Sequence, residues 1–276
     1  MDIVTPVLAG AAGAFIKTLA DKGVQWLIEL VGSHSAEVQK QAQENLQNFV
    51  IRLAHRVEQL ETELPVEKRE IFDRALGHPS TSLLFQKAVV NAATTDNDDR
   101  HLILSELIAE RLTAGADDMV ALVGSAACDV VQALASKHIR YLGMAARFFH
   151  IRPDQIPEIK SQKKYEDFIV NWWNPLEQLC SGLEDFKEVD FHHLIGLSCA
   201  YHQLPRHDFE KYIKIKTKPN NYDLPLDLIN NQPWGPLFTK LWEIGTAHII
   251  LTAKGFLIGV LYHDSCISDG PTKLNW

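Results

Sequence analysis

The sequence predicts a mainly α protein, a multi-helix bundle followed by a smaller C-terminal α+β module of winged-helix-like character. Three observations lead there. Apolar residues recur at three- and four-residue spacing through most of the first 150 positions, the period of a helix with one buried face. Short polar breaks, Thr94 to Asp99 and Gly115 to Asp118, carry side chains that cap a following helix. Period-two alternation comes only late, in Tyr212 to Pro219 and His248 to Thr252.

The first element opens at Thr5 and Pro6 and stops at Gly32. Its uninterrupted apolar run ends at Ile16, before Lys17, Asp21 and Lys22, so it falls short of the roughly 20 residues a membrane span needs. Ile16, Ala20, Val24, Leu27 and Val31 then form a stripe, while Ala9, Gly10, Gly13 and Ala14 are small enough for close backbone approach. Three readings stay open for this helix: core of its own domain, contact with another subunit, or attachment to a membrane surface. Gly10, Gly13, Ala14, Ile16 and Leu27 are its candidate interface residues.

Ser35 caps a long helix to about Leu64. Leu46, Val50, Leu53, Val57, Leu60 and Leu64 alternate four- and three-residue steps, a short heptad seam. The seam serves either an antiparallel pairing with the first helix or an intermolecular coil, so Leu46, Val50, Leu53 and Val57 join the interface candidates. Helices follow at Pro65 to Leu76, Ser80 or Ser82 to Ala93, Asp99 to Thr113, Asp117 to Leu134, and Ser136 to His150. The 117–134 helix is apolar on both sides and is expected at the buried centre of the bundle.

Pro153 and Pro157 mark a boundary. The chain thus divides into an apolar N-terminal helix (1–32), a helical bundle (33–150) and a mixed C-terminal module (151–276). In the last, helices are expected at Tyr165 to Asn174, Pro175 to Leu183, Phe191 to Gln203 and Pro236 to Gly245. Tyr212 to Pro219 reads as an edge strand and Thr252 as the cap of a closing helix. Trp172 and Trp173 are expected to anchor a contact between domains.

Charge narrows the functional classes. The chain carries 27 Lys/Arg against 35 Asp/Glu, a net charge of −8. Up to His150 the count is 14 against 19, and beyond it 13 against 16, so neither part is basic and broad nucleic-acid binding is disfavoured. Four scattered cysteines suit reduced thiols in a cytosol. Asp2 stands where a secretory leader would carry positive charge.

Nucleotide-loop, serine-elbow, HExxH and paired CxxC patterns do not occur in the sequence, and no motif implies a cofactor. Two constellations qualify as candidates. His192, His193, Cys199 and His202 share a helical face if 191–203 is one helix, a set that could ligate a metal, with packing histidines as the alternative. Lys211, Lys214, Lys216 and Lys218 form a basic strip that could meet nucleic acid, although lysines on an edge strand also block aggregation. Glu106 and Glu110, at helical i,i+4 spacing beside Arg111, read as a salt-bridged surface.

The stretches ALGHPSTSLLFQKAVVNAATTDNDD, HLILSELIAERL and ACDVVQALASKHIRYLGMAARFF, within residues 65–150, resemble bacterial abortive-infection proteins of the Abi-alpha type and related helical bacterial families. The C-terminal HIILTAKGFLIGVLYHDSC is similar to the LTxxG helix start that closes many of them. The resemblance implies defence against phage by arrest or death of the infected cell, and carries no catalytic residue across.

The function expected is that of a non-enzymatic, self-associating effector or regulator in anti-phage defence. It would be cytoplasmic, or peripheral to the inner membrane, with a homo-oligomeric state and a second defence-system protein as partners. A nucleic-acid-binding regulator and a metal-dependent hydrolase are the alternatives.

Overall fold

The protein is mainly α, with one small two-stranded sheet toward the C-terminus. The computed structural model describes residues 10–115, 118–153, 155–204, 206–214, 222–223, 226–267 and 272. Two compact units divide between Ser136 and Lys137.

The first unit contains α1 (Gly10–Val31), α2 (Ala36–Glu63), α3 (Val66–Leu76), α4 (Pro79–Ala93), α5 (Asp98–Thr113) and α6 (Met119–Val131). Each start has a local cause. Ser35 accepts from the Val38 amide, Asn97 from Arg100 and Asp118 from Val120, satisfying donors that the first helical turn leaves open. The helix before Pro65 stops there, and His78, not a serine, caps α4 through its ring. The proposed start of the first helix at Thr5 and Pro6 lies outside the described residues.

α2 packs against α1, α4 and α5. The heptad seam is therefore internal: Leu46, Val50, Leu53 and Val57 are buried, as are Ile16, Leu19, Ala20 and Leu27 of α1. The most deeply enclosed helix is α5, where Ile103, Leu104, Leu107, Ile108 and Leu112 are buried. That corrects the expectation for the 117–134 helix. α6 buries only Gly124, Ala127, Cys128 and Val131; Met119, Leu122 and Ala126 are exposed and its other apolar side chains are half-buried. Apolar residues on both sides of a helix register composition, and composition does not say how many neighbours arrive.

The second unit begins with α7 (Ser136–Phe149), whose first residue belongs to the other unit. The division therefore falls before this helix and not at the prolines after it, because α7 side chains build the second core. Phe148 lies with its ring centroid 5.4 Å from Trp173, 4.8 Å from Phe238 and 5.5 Å from Trp242. Tyr141 stacks on Phe186 at 4.5 Å. Around α7 come α8 (Gln162–Trp173), α9 (Leu176–Cys180), α10 (Glu188–Gly196), β1 (Ala200–His202), α11 (Phe209–Ile213), α12 (Leu226–Asn230), α13 (Gly235–Ile244), β2 (Ile249–Leu251) and α14 (Ala253–Cys266).

β1 and β2 are antiparallel, with Tyr201 opposite Ile250. Among the described residues the partner of the expected second strand is Ala200–His202. Of residues 212–219, only Tyr212 to Lys214 are described, and Tyr212 and Ile213 close the short helix Phe209–Ile213. Nor is 191–203 one helix: α10 ends at Gly196, Ser198 takes a left-handed conformation with φ 52°, and the chain leaves as β1. Residues 215–219 of the expected lysine strand lie outside the described residues.

α14 starts where the sequence places it. Thr252 accepts from the Gly255 amide and donates to the Ser198 carbonyl at 2.7 Å. Glycine is needed twice along this helix: a Cβ at Gly255 would run into the Cys199 carbonyl, and one at Gly259 into the Leu142 carbonyl of α7. Trp172 and Trp173 both pack inside the second unit. Trp173 donates its indole N–H to the Ile213 carbonyl at 3.1 Å, and the Arg147 guanidinium lies 3.6 Å over the Trp172 ring. Among the described residues no helix is long and apolar enough to cross a membrane.

Candidate functional site

The first unit holds a cationic pocket where α3 ends, α4 begins and α5 ends. It encloses about 400 Å³ and is walled by Ile71, Ala75 and Ala114, with Arg74, His78 and Arg111 supplying polar groups. Helix periodicity explains how each arrives. Arg74 and Ile71 are three apart on α3 and share a face. His78 sits at the cap position of α4. Arg111 lies in the last turn of α5, on the side that also buries Leu107 and Ile108.

Arg111 is 3% exposed. Its Nε and one terminal nitrogen donate to the Ser80 hydroxyl at 3.2 and 2.7 Å, and its other terminal nitrogen donates to the Ala114 carbonyl at 3.1 Å. Burial pulls the guanidinium below its ordinary pKa. His78 Nδ1 accepts from the Ser80 amide at 3.2 Å and lies 2.8 Å from the Ser80 hydroxyl. That bonding puts the imidazole proton on Nε2. Ser80 thus links a buried cation to a neutral histidine at the positive end of α4.

The sequence places Arg111 on a charged surface beside Glu106 and Glu110. The structure separates them: Glu106 pairs with Arg56 at 2.8 Å, while Arg111 turns inward. The signal available was an arginine flanked by Ile108 and Leu112 on an otherwise apolar face.

The other candidates disperse. Ile16, Leu27, Leu46, Val50, Leu53 and Val57 are core, so they form no outward interface. Gly13 is half-buried, Ala14 is exposed, and Gly10 is the first residue of α1. His192 is exposed and 3.9 Å from Glu188; the His193 ring lies 4.7 Å from His138; Cys199 is buried; His202 stacks on His248 at 5.5 Å. These four side chains have different neighbours because the turn at Ser198 breaks their common face. Among the described residues, no group of three or more His, Cys, Asp or Glu is placed to hold a metal ion. Lys211 falls in α11, Lys214 is half-buried and 4.0 Å from Asp223, and Lys216 and Lys218 lie outside the described residues.

The second unit carries two buried polar nodes. In one, Asp190 takes hydrogen bonds from Lys137 and His138, both on α7, and from the Lys187 amide. In the other, Arg147 approaches His263 at 3.4 Å, and His263 meets Asp264, which also accepts from the Thr272 hydroxyl and amide. Each node fastens distant segments of the unit together. Three cysteines are similarly withdrawn: burial pushes Cys128 and Cys180 up to about 12 and Cys199 up to about 11.

No curated protein and no solved structure matches the chain. Residues 13–220, more than half of the sequence and parts of both units, match the model of one protein family. The chain belongs to that family, an uncharacterised one.

Proposed function

We propose that the protein acts by binding, as a non-enzymatic helical interaction protein that self-associates and serves as an effector or regulator in bacterial anti-phage defence. The observation that carries this reading is the outward face of α6. Met119 and Leu122 are 48% and 60% exposed, Ala126 is exposed, and Val120, Val123 and Val130 are only half-buried. The helix contains a single charged residue, Asp129, and that side chain is held by Lys87 of α4 at 2.8 Å. Leu83, one turn before Lys87 on α4, which packs against α6, is 54% exposed as well. Exposed apolar area of this kind marks a contact surface.

A second copy of the chain is the occupant this face fits. A molecule of net charge −8 repels itself over most of its surface, and an uncharged helix face is where two copies approach at least electrostatic cost. The defence role rests on the resemblance of residues 65–150 to Abi-alpha-type proteins, within which α6 falls. The cytoplasm is the compartment that this reading implies.

Light scattering coupled to size exclusion tests the assembly. The wild type should run above monomer mass, and Leu122→Glu with Leu83→Glu should reduce it to monomer while leaving the helical circular dichroism unchanged. A wild type that stays monomeric at high concentration sinks the reading. Plaque assays on cells expressing each form then test defence: protection should be lost with assembly.

A further inference from the structure

The pocket beside Arg111 raises a separate question, what balances its charge. Buried arginines are costly unless a negative group accompanies them. Three other cations of the first unit meet acids: Arg52 with Asp98, Arg56 with Glu106, Lys87 with Asp129. The hydrogen-bond partners of Arg111 are a hydroxyl, a carbonyl and an imidazole, none of them an acid. No acidic side chain is among the described residues lining the pocket, and Arg74 reaches it from the opposite helix. Arg74 has a carboxylate near it, Glu70 at 3.5 Å, but that pair lies on the exposed surface of α3, where it is weakly held.

We propose that this pocket binds a small phosphomonoester, with the phosphate set among Arg111, Arg74 and the Nε2–H of His78 at the head of α4, and the ester's apolar body against Ile71, Ala75 and Ala114. Three features choose the ligand class. Two guanidinium groups match the double charge of a phosphomonoester better than the single charge of a carboxylate. The donors come from three elements around one space, which suits a tetrahedral group with several acceptor oxygens. The cavity, at about 400 Å³, exceeds what a bare phosphate fills, and its walls are apolar. The Ser80 hydroxyl, already bonded to Arg111, holds the guanidinium in place before the ligand arrives. The proposal uses none of the α6 surface and stands whether or not the protein self-associates.

Calorimetric titration of the full chain with phenyl phosphate, and separately with inorganic phosphate, tests it. Phenyl phosphate should bind, inorganic phosphate should bind more weakly, and added salt should weaken both. Arg74→Glu changes an exposed residue and should fold; it should weaken phenyl phosphate at least tenfold. Arg111→Lys keeps the charge but loses the fork, and should weaken it as well. No binding of phenyl phosphate to the wild type, or unchanged binding in Arg74→Glu, overturns the proposal. Equal affinity for the two probes overturns the assignment of the apolar wall to the ester's body.

Discussion

The carboxylate of Asp190 accepts the Nε2–H of His138 at 2.9 Å, and the two residues are 5% and 6% exposed. Lys137 and the Lys187 amide donate to the same carboxylate at 2.8 Å each. Burial alone would raise the Asp190 pKa. The hydrogen bonds from Lys137, the Lys187 amide and His138 outweigh it and hold the carboxylate below its usual range. One side chain thereby caps α10 and ties it to α7.

Asp190→Asn keeps the shape of that junction and removes its charge. The expected loss is about 1.5–3 kcal/mol, the range for hydrogen bonds to a charged group. Lys137→Gln should cost less, under about 1 kcal/mol, since Lys137 is one-third exposed and can turn to water. Urea denaturation of both variants compares them. Equal losses would show that the carboxylate is not the centre of the node.

Acidification should weaken the fold from about pH 6.5 downward. Burial lowers the pKa of His101 in the first unit and of His138, His150 and His207 in the second. In the unfolded chain these imidazoles titrate at their ordinary value. Below it, the unfolded state takes up protons that the folded state refuses, so stability is complete above that pH and is lost as pH falls toward the folded values. The lowered Asp190 pKa adds a loss of the same sign at more acidic pH. Urea midpoints measured across this range should fall steadily; a midpoint that rises on acidification would contradict the assignment.

At Gly259 the backbone of α14 comes close to that of α7. Gly259→Ala places a methyl against the Leu142 carbonyl, backbone that cannot step aside as a side chain would. A cost of about 1–3 kcal/mol is expected from overpacking. Gly196→Ala is the control. A Cβ there meets nothing within 4 Å, so stability should hold or rise by up to about 1 kcal/mol. Thermal unfolding of the pair separates lost room from lost backbone freedom.

Thiol chemistry reads burial directly. Cys128, Cys180 and Cys199 are buried, whereas Cys266 is half-buried. Near neutral pH a thiolate reagent should modify Cys266 first in the native protein and all four thiols in denaturant. Fast modification of Cys128 in the native state would mean that α6 opens readily from the first unit.

Helix placement was readable where local chemistry decides it. Ser35, Asn97, Asp118 and Thr252 cap the helices that follow them, and a cap needs only its own next three residues. The stretch from His192 to His202 is not legible for a complementary reason. Its break depends on a left-handed Ser198 and on pairing with β2 nearly fifty residues later, which no local periodicity encodes.

The sequence by itself determined the helical class, most helix starts and the burial stripe of α2, because those follow from spacing and short-range hydrogen bonds. Tertiary structure alone decided which apolar helix is enclosed and which charged residue faces inward. α5 and α6 are both rich in apolar residues, yet only α5 is surrounded. Arg111 and Glu110 are neighbours in the chain, and only Arg111 is buried beside Ser80. Burial depends on what arrives from elsewhere in the chain, so a residue's own neighbours in sequence cannot fix it.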